Sequence, residues 1–81
     1  MRNSETIALE KFIKEMVEYY TQNLPQDDLD WTYYWDYVNT KLETFTTTTH
    51  IVVDPFWLRR AISHDILTLE FGENDYGNLT L

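Results

Sequence analysis

The 81-residue chain contains no cysteine, two glycines, two prolines, and only six basic residues against fourteen acids. Each shortage excludes something. Without cysteine no disulfide can staple a small core, and no thiolate is available as a nucleophile or zinc ligand. An intracellular setting is the simpler reading of such a chain. So little glycine rules out a glycine-rich phosphate cradle. It also predicts that Pro25, Pro55, Gly72 and Gly77 sit where elements end. No apolar run approaches the ~20 residues that span a bilayer, and MRNSETIALEKFIKEM holds no apolar stretch of signal-peptide length before its charges. A cytoplasmic protein without membrane contact is expected.

What the chain does have is acid and aromatic surface. Residues 1–81 make one domain, because chains divide only well above ~200 residues. A domain this short has a thin core, which three Trp, six Tyr and four Phe help to fill, each able to bury ~150–250 Å². The net charge of −8 repels nucleic-acid phosphate and anionic lipid, and it attracts basic protein surfaces, including those that hold nucleic acid. Solubility alone is the other use of such charge.

The spacing of apolar residues predicts a first helix over about residues 4–22. Ser4 is placed to cap it, and Leu9, Phe12, Ile13, Met16, Val17 and Tyr20 form one stripe. Asn23-Leu24-Pro25-Gln26 reads as a turn. A second helix is predicted over about 27–45, with Trp31, Tyr34, Trp35, Val38, Leu42 and Phe45 inward. Four consecutive threonines, Thr46 to Thr49, then lead into His50-Ile51-Val52-Val53, a β-branched run that reads as strand. Asp54-Pro55 has the form of an N-cap followed by the first helical residue. A third helix follows to about His64 or Asp65, with Trp57, Leu58, Ala61 and Ile62 inward. From Ile66 to Phe71 the pattern alternates, Leu67, Leu69 and Phe71 against Thr68 and Glu70, as in a half-buried strand. Residues 72–77 then form a loop, and 78–81 a short edge strand. The expected fold is therefore α+β, in the order α-α-β-α-β-β, with three helices against a two- or three-stranded antiparallel sheet. The alternative is a mostly α chain with helix three extended to Phe71, since Leu58, Ile62, Ile66 and Leu69 also share a helical face.

Most chemistry finds no support in this pattern. His50, Asp54, His64 and Asp65 are possible ligands, but their spacing matches no zinc pattern, so no metal and no cofactor are expected. Fourteen acids make a carboxylate pair easy to find by chance, and a domain this small encloses little pocket, so an enzyme is not expected. Arg59, Arg60 and His64 share one face of helix three, and a helix followed by two strands is similar to winged DNA-binding domains. The element order differs and the remaining surface is acidic, so direct nucleic-acid binding is not expected. Asn78-Leu79-Thr80 matches a glycosylation acceptor by chance.

The second helix carries the best binding feature. Tyr33 and Tyr37 lie off its inward stripe beside Asp30 and Asp36, while Asp27 and Asp28 crowd its N-terminus. Tyr gives large contact area at low entropic cost, and a neighbouring Asp pairs with Arg or Lys. The helix dipole already accounts for part of the acid at the N-terminus, and the other reading of Tyr33 and Tyr37 is that they pack against helix one or the sheet, since so many aromatics need burial. A lesser candidate is the acidic loop with Glu70, Glu73, Asp75 and, at its tip, Tyr76. In size, acidity and aromatic content the chain is similar to small inhibitors of phages and mobile elements, such as DNA-mimic and anti-CRISPR proteins, and to nuclease immunity proteins. Asp27, Asp28, Asp30, Asp36 and Glu43 are the substance of that resemblance, which is one of profile and carries no motif. It implies an acidic interaction domain that inhibits or regulates a basic, nucleic-acid-handling protein by occlusion or DNA mimicry. The competing expectation is a homodimerising assembly adaptor.

Overall fold

The computed structural model describes the backbone of residues 4–79 and the side chains of residues 4–71. It contains three helices, α1 (Ser4–Asn23), α2 (Asp28–Thr49) and α3 (Pro55–Leu79), and no strand among the described residues. The α+β expectation with its sheet is thus overturned, and the mostly α alternative fits.

α1 and α2 form an antiparallel hairpin zipped by aromatic rings. Tyr20 meets Trp31 near the turn at 5.7 Å between centroids, and Phe12 meets Phe45 at the far end at 4.9 Å. The inward stripes are the ones that the spacing predicts: Phe12, Met16 and Tyr20 on α1, and Tyr34, Val38 and Leu42 on α2, are buried. Leu9, Ile13, Val17, Trp31, Trp35 and Phe45 are packed against them. α3 lies parallel to α1. Leu9 and Ile13 line one groove with Trp57 and Ala61, and farther along the Tyr20 hydroxyl donates to Glu70 Oε1. Leu58, Ile62 and Ile66, one turn apart, close the core.

Local chemistry explains the helix ends. Asp27 caps α2, its Oδ1 accepting the Asp30 N–H at 2.9 Å, while Asp30 Oδ2 accepts the Gln26 N–H at 3.0 Å. The first of these is the N-cap bond of a capping box, while the return bond goes to Gln26, one residue before the cap, instead of to the Asp27 N–H. α2 stops at His50, which takes the left-handed conformation (φ 62°) and donates its N–H to the Thr46 carbonyl at 2.8 Å. Asp54 Oδ1 accepts the Phe56 N–H at 3.0 Å, and Pro55 is the first residue of α3, as the sequence predicts.

Of the expected strands, the first is helical through Thr49 and without regular structure over residues 50–53, and the second is helical throughout. The threonine run belongs to α2, and within it Thr49 Oγ1 donates to the Phe45 carbonyl at 2.7 Å, as Thr44 and Thr40, ahead of the run, do to carbonyls four residues earlier. Such bonds satisfy the side chain without leaving the helix, and the Phe45 contact with Phe12 holds the last turns in place. Only residues 50–54 lack regular structure between α2 and α3. The segment from Ile66 to Phe71 continues α3. Ile66 is 6% exposed, whereas Leu67, Leu69 and Phe71, which a strand would bury, are 39%, 56% and 45% exposed. Packing of Ile66 behind Leu58 and Ile62 outweighs the local alternation. The helical backbone also runs through Gly72 and Gly77 to Leu79, so the expected loop at 72–77 is not formed, and residues 78–79 are not strand. These glycines do not end an element, though each costs about 1 kcal/mol of helix propensity relative to alanine. Residues 80 and 81 lie outside the described residues.

Candidate functional site

The buried residues of α2 leave one side of that helix in solvent. Leu29, Tyr33, Asp36, Thr40 and Glu43 recur there at spacings of three and four, and Leu29 and Tyr33 are 59% and 63% exposed. Five acids lie between Asp27 and Glu43 against one base, Lys41. The Lys41 ammonium sits over the Tyr37 ring, 5.4 Å from its centroid, on the side toward α1. The outer face of α2 is therefore acidic and partly apolar.

The structure divides the predicted set. Asp28, Tyr33 and Asp36 are exposed. Asp27 and Asp30 cap the helix, so both carboxylates are held in fixed orientations. Tyr37 leaves the free surface: half-buried, it lies flat on Tyr19, with centroids 3.7 Å apart and planes within 7°. Glu70 is on helix α3 and accepts from Tyr20 rather than belonging to a loop. The side chains of Glu73, Asp75 and Tyr76 lie outside the described residues.

Tyr33 and Asp30 share a recess with residues from α1 and the turn. Tyr19, Asn23, Pro25, Asp30, Tyr33 and Tyr34 line a depression of about 190 Å³. At ~30 Å³ per water this equals about six waters, enough for the end of a lysine or arginine side chain. Its lining includes three tyrosine rings and one carboxylate, groups that both attract a cation. Tyr34 forms the floor. It is buried, and its hydroxyl donates to the Met16 carbonyl at 2.7 Å; burial pushes its ionisation well above the ordinary tyrosine range, so it stays neutral. Sequence reasoning missed Tyr19, Asn23 and Pro25. The one available signal was that Tyr19 follows Met16 by three positions, at the edge of the inward stripe of α1.

Of the other expected groupings, the basic trio shares one face of α3 and the possible metal ligands stay apart. The Arg59 guanidinium lies over Trp35, 4.7 Å from the ring centroid, and His64 Nδ1 faces Asp65 Oδ1 at 3.6 Å. All three of the basic trio nonetheless line one shallow depression on the outer side of α3, with Phe56, Ser63 and Leu67. His50 caps α2 and Asp54 caps α3, and among the described residues no three His, Asp or Glu side chains gather as metal ligands. No helix among the described residues is long and apolar enough to cross a membrane.

Comparison with known proteins adds nothing to this geometry. No protein-family model, no curated protein and no solved structure matches the chain.

Proposed function

We propose that this chain is a non-enzymatic binding protein that sets the outer face of α2 against a basic protein surface and blocks it. The supporting observation is the recess beside that face, where Tyr19, Tyr33 and Asp30 surround a space sized for one cationic side chain. Arg and Tyr dominate the energetics of protein interfaces, and a fixed carboxylate beside aromatic faces is a natural seat for Arg. Asp36 and Glu43 then pair with further cations on the partner, while Leu29 and Tyr33 supply apolar contact.

Charge spacing favours simple occlusion over close imitation of DNA. Asp28, Asp36 and Glu43 are spread over fifteen residues, or about 22 Å of helix. B-DNA carries about thirteen negative charges over that length, at one per ~1.7 Å. The natural partner class remains a protein whose basic groove holds nucleic acid, and the compartment we propose is the cytoplasm.

The test is affinity capture of partners on the immobilised chain at low and high salt, followed by titration of the captured protein. Asp36→Lys should weaken binding at low salt and flatten its salt dependence. Tyr33→Ala should weaken it about tenfold or more at either salt. Unchanged affinity in both variants would exclude α2 as the docking face.

A further inference from the structure

α3 packs on the rest of the molecule through Leu58, Ile62 and Ile66, and its opposite side is uncovered. At about 100° per residue, Phe56, Arg60, Leu67 and Phe71 fall together on that opposite side, with Trp57 at one edge. Phe56 is 80% exposed, and Trp57, Phe71 and Leu67 are exposed at 49%, 45% and 39%. With each aromatic offering ~150–250 Å², this stripe leaves on the order of 400 Å² of apolar surface in water. That lies within the roughly 300–600 Å² of the largest patch on a monomeric protein, a patch that is often functional.

The stripe repeats in reverse about its middle. Counting from Ser63 and His64, Phe56 and Trp57 stand seven positions toward the N-terminus and Phe71 stands seven toward the C-terminus. Charge is divided the same way. Arg59 and Arg60 lie on the N-terminal half and Asp65 and Glu70 on the C-terminal half, so residues 55–71 sum to zero in a chain of net charge −8.

We propose that a second copy of this chain covers the face, with α3 antiparallel to α3 about a two-fold axis at Ser63 and His64. In that arrangement Phe56 and Trp57 of one copy meet Phe71 of the other. Arg60 lies over Leu67 and within one turn of Glu70, whose Oε1 is taken by Tyr20 while its other oxygen remains for the Arg. Ser63, a small half-buried side chain at the crossing, permits close approach of the helices. A parallel pairing would instead set arginine against arginine. The two stripes together bring about 800 Å² of apolar surface out of water; with their polar rims they reach the scale of a standard interface, roughly 1,200–2,000 Å². The interface is isologous and therefore closes at two copies.

Because the native chain has no cysteine, single cysteines report the geometry directly. Sedimentation equilibrium should give twice the 9.8 kDa chain mass, and Ser63→Cys should form an intermolecular disulfide under mild oxidation. Thr47→Cys, on the outer side of α2, should remain uncrosslinked. Phe56→Ser with Leu67→Ser should weaken association by at least about 100-fold, with an unchanged far-ultraviolet circular dichroism spectrum. The dimer should persist at high salt, where docking of a basic partner on α2 weakens, so the two surfaces fail or succeed separately. A monomer at all concentrations up to about 100 µM would overturn the proposal. So would equal crosslinking through Thr47→Cys, or a dimer indifferent to the Phe56 and Leu67 changes.

Discussion

Substituting Ile66 and Leu69 one at a time separates the helical α3 from the strand that its alternating sequence suggests. Ile66 is 6% exposed and Leu69 is 56% exposed. Ile66→Ala removes three carbon groups at ~0.8 kcal/mol each, about 2.4 kcal/mol, and the residual cavity raises the loss to about 3–4 kcal/mol. A domain of this size has about 4–12 kcal/mol in all, at ~0.05–0.15 kcal/mol per residue, so the loss is a large fraction. With ~4–8 °C of Tm per kcal/mol, the expected drop is about 12 °C or more. Leu69→Ala gives up less than about 1 kcal/mol, and the better helix propensity of alanine offsets part of that. Both variants should be unfolded by heat and urea, followed by circular dichroism and Trp fluorescence at one fixed protein concentration. Neither residue lies on the outer stripe of α3, so self-association does not confuse the comparison. A Leu69→Ala variant as unstable as Ile66→Ala would refute the helical packing, because a strand would bury Leu69 and expose Ile66.

Two further outcomes follow from the turn and the core. Burial raises the Tyr34 ionisation above its ordinary value of 10.0, so above that pH the unfolded chain loses a proton that the folded chain retains. Stability contributed by Tyr34 is fully present below pH ~10 and falls by up to ~1.4 kcal/mol per pH unit above it. Urea midpoints from pH 9 to 11.5 should show this slope, and Tyr34→Phe should flatten it while costing about 1 kcal/mol at pH 7 for the bond to the Met16 carbonyl. Asp27→Ala should cost about 1 kcal/mol through loss of the cap, and Asp27→Asn or Asp27→Ser should recover most of it, as read by thermal unfolding.

The parts of the fold legible in the sequence are those where one signal acts alone. The stripes recur over about three turns in α1 and four in α2, and Asp54-Pro55 is both a local chemical stop and a start. At Thr46–Thr49 two signals compete. β-branching opposes helix, but the Thr49 hydroxyl bond to a carbonyl one turn back, together with the Phe45–Phe12 contact, holds it. The second contribution comes from a residue 33 positions away, which no local window contains. At Ile66–Phe71 both periods are present in six residues, and what decides between them is that Leu58 and Ile62 already point the same way as Ile66.

The candidate site was legible as a region and not as an arrangement, because identical residue types on α2 have different work. Asp27 and Asp30 look like surface charge in the sequence, yet each accepts a backbone N–H and orders the entry to the helix. Tyr33 and Tyr37 are one turn apart, yet Tyr37 is covered because Tyr19 is stacked on it, while Tyr33 is exposed beside the recess. The difference arises from where α1 ends. Asn23 closes that helix, the chain turns through residues 24–27, and Tyr33 comes to stand at the edge of the space left beside the turn. The same geometry that removes Tyr37 from the surface thus builds the walls of the recess, since Tyr19 supplies a ring to both. A helix carrying only its acids would attract any basic surface. The recess, with Asp30 fixed by Gln26 and with tyrosine rings in its lining, adds shape to that charge, and it is on shape that the proposed docking depends for its choice of partner.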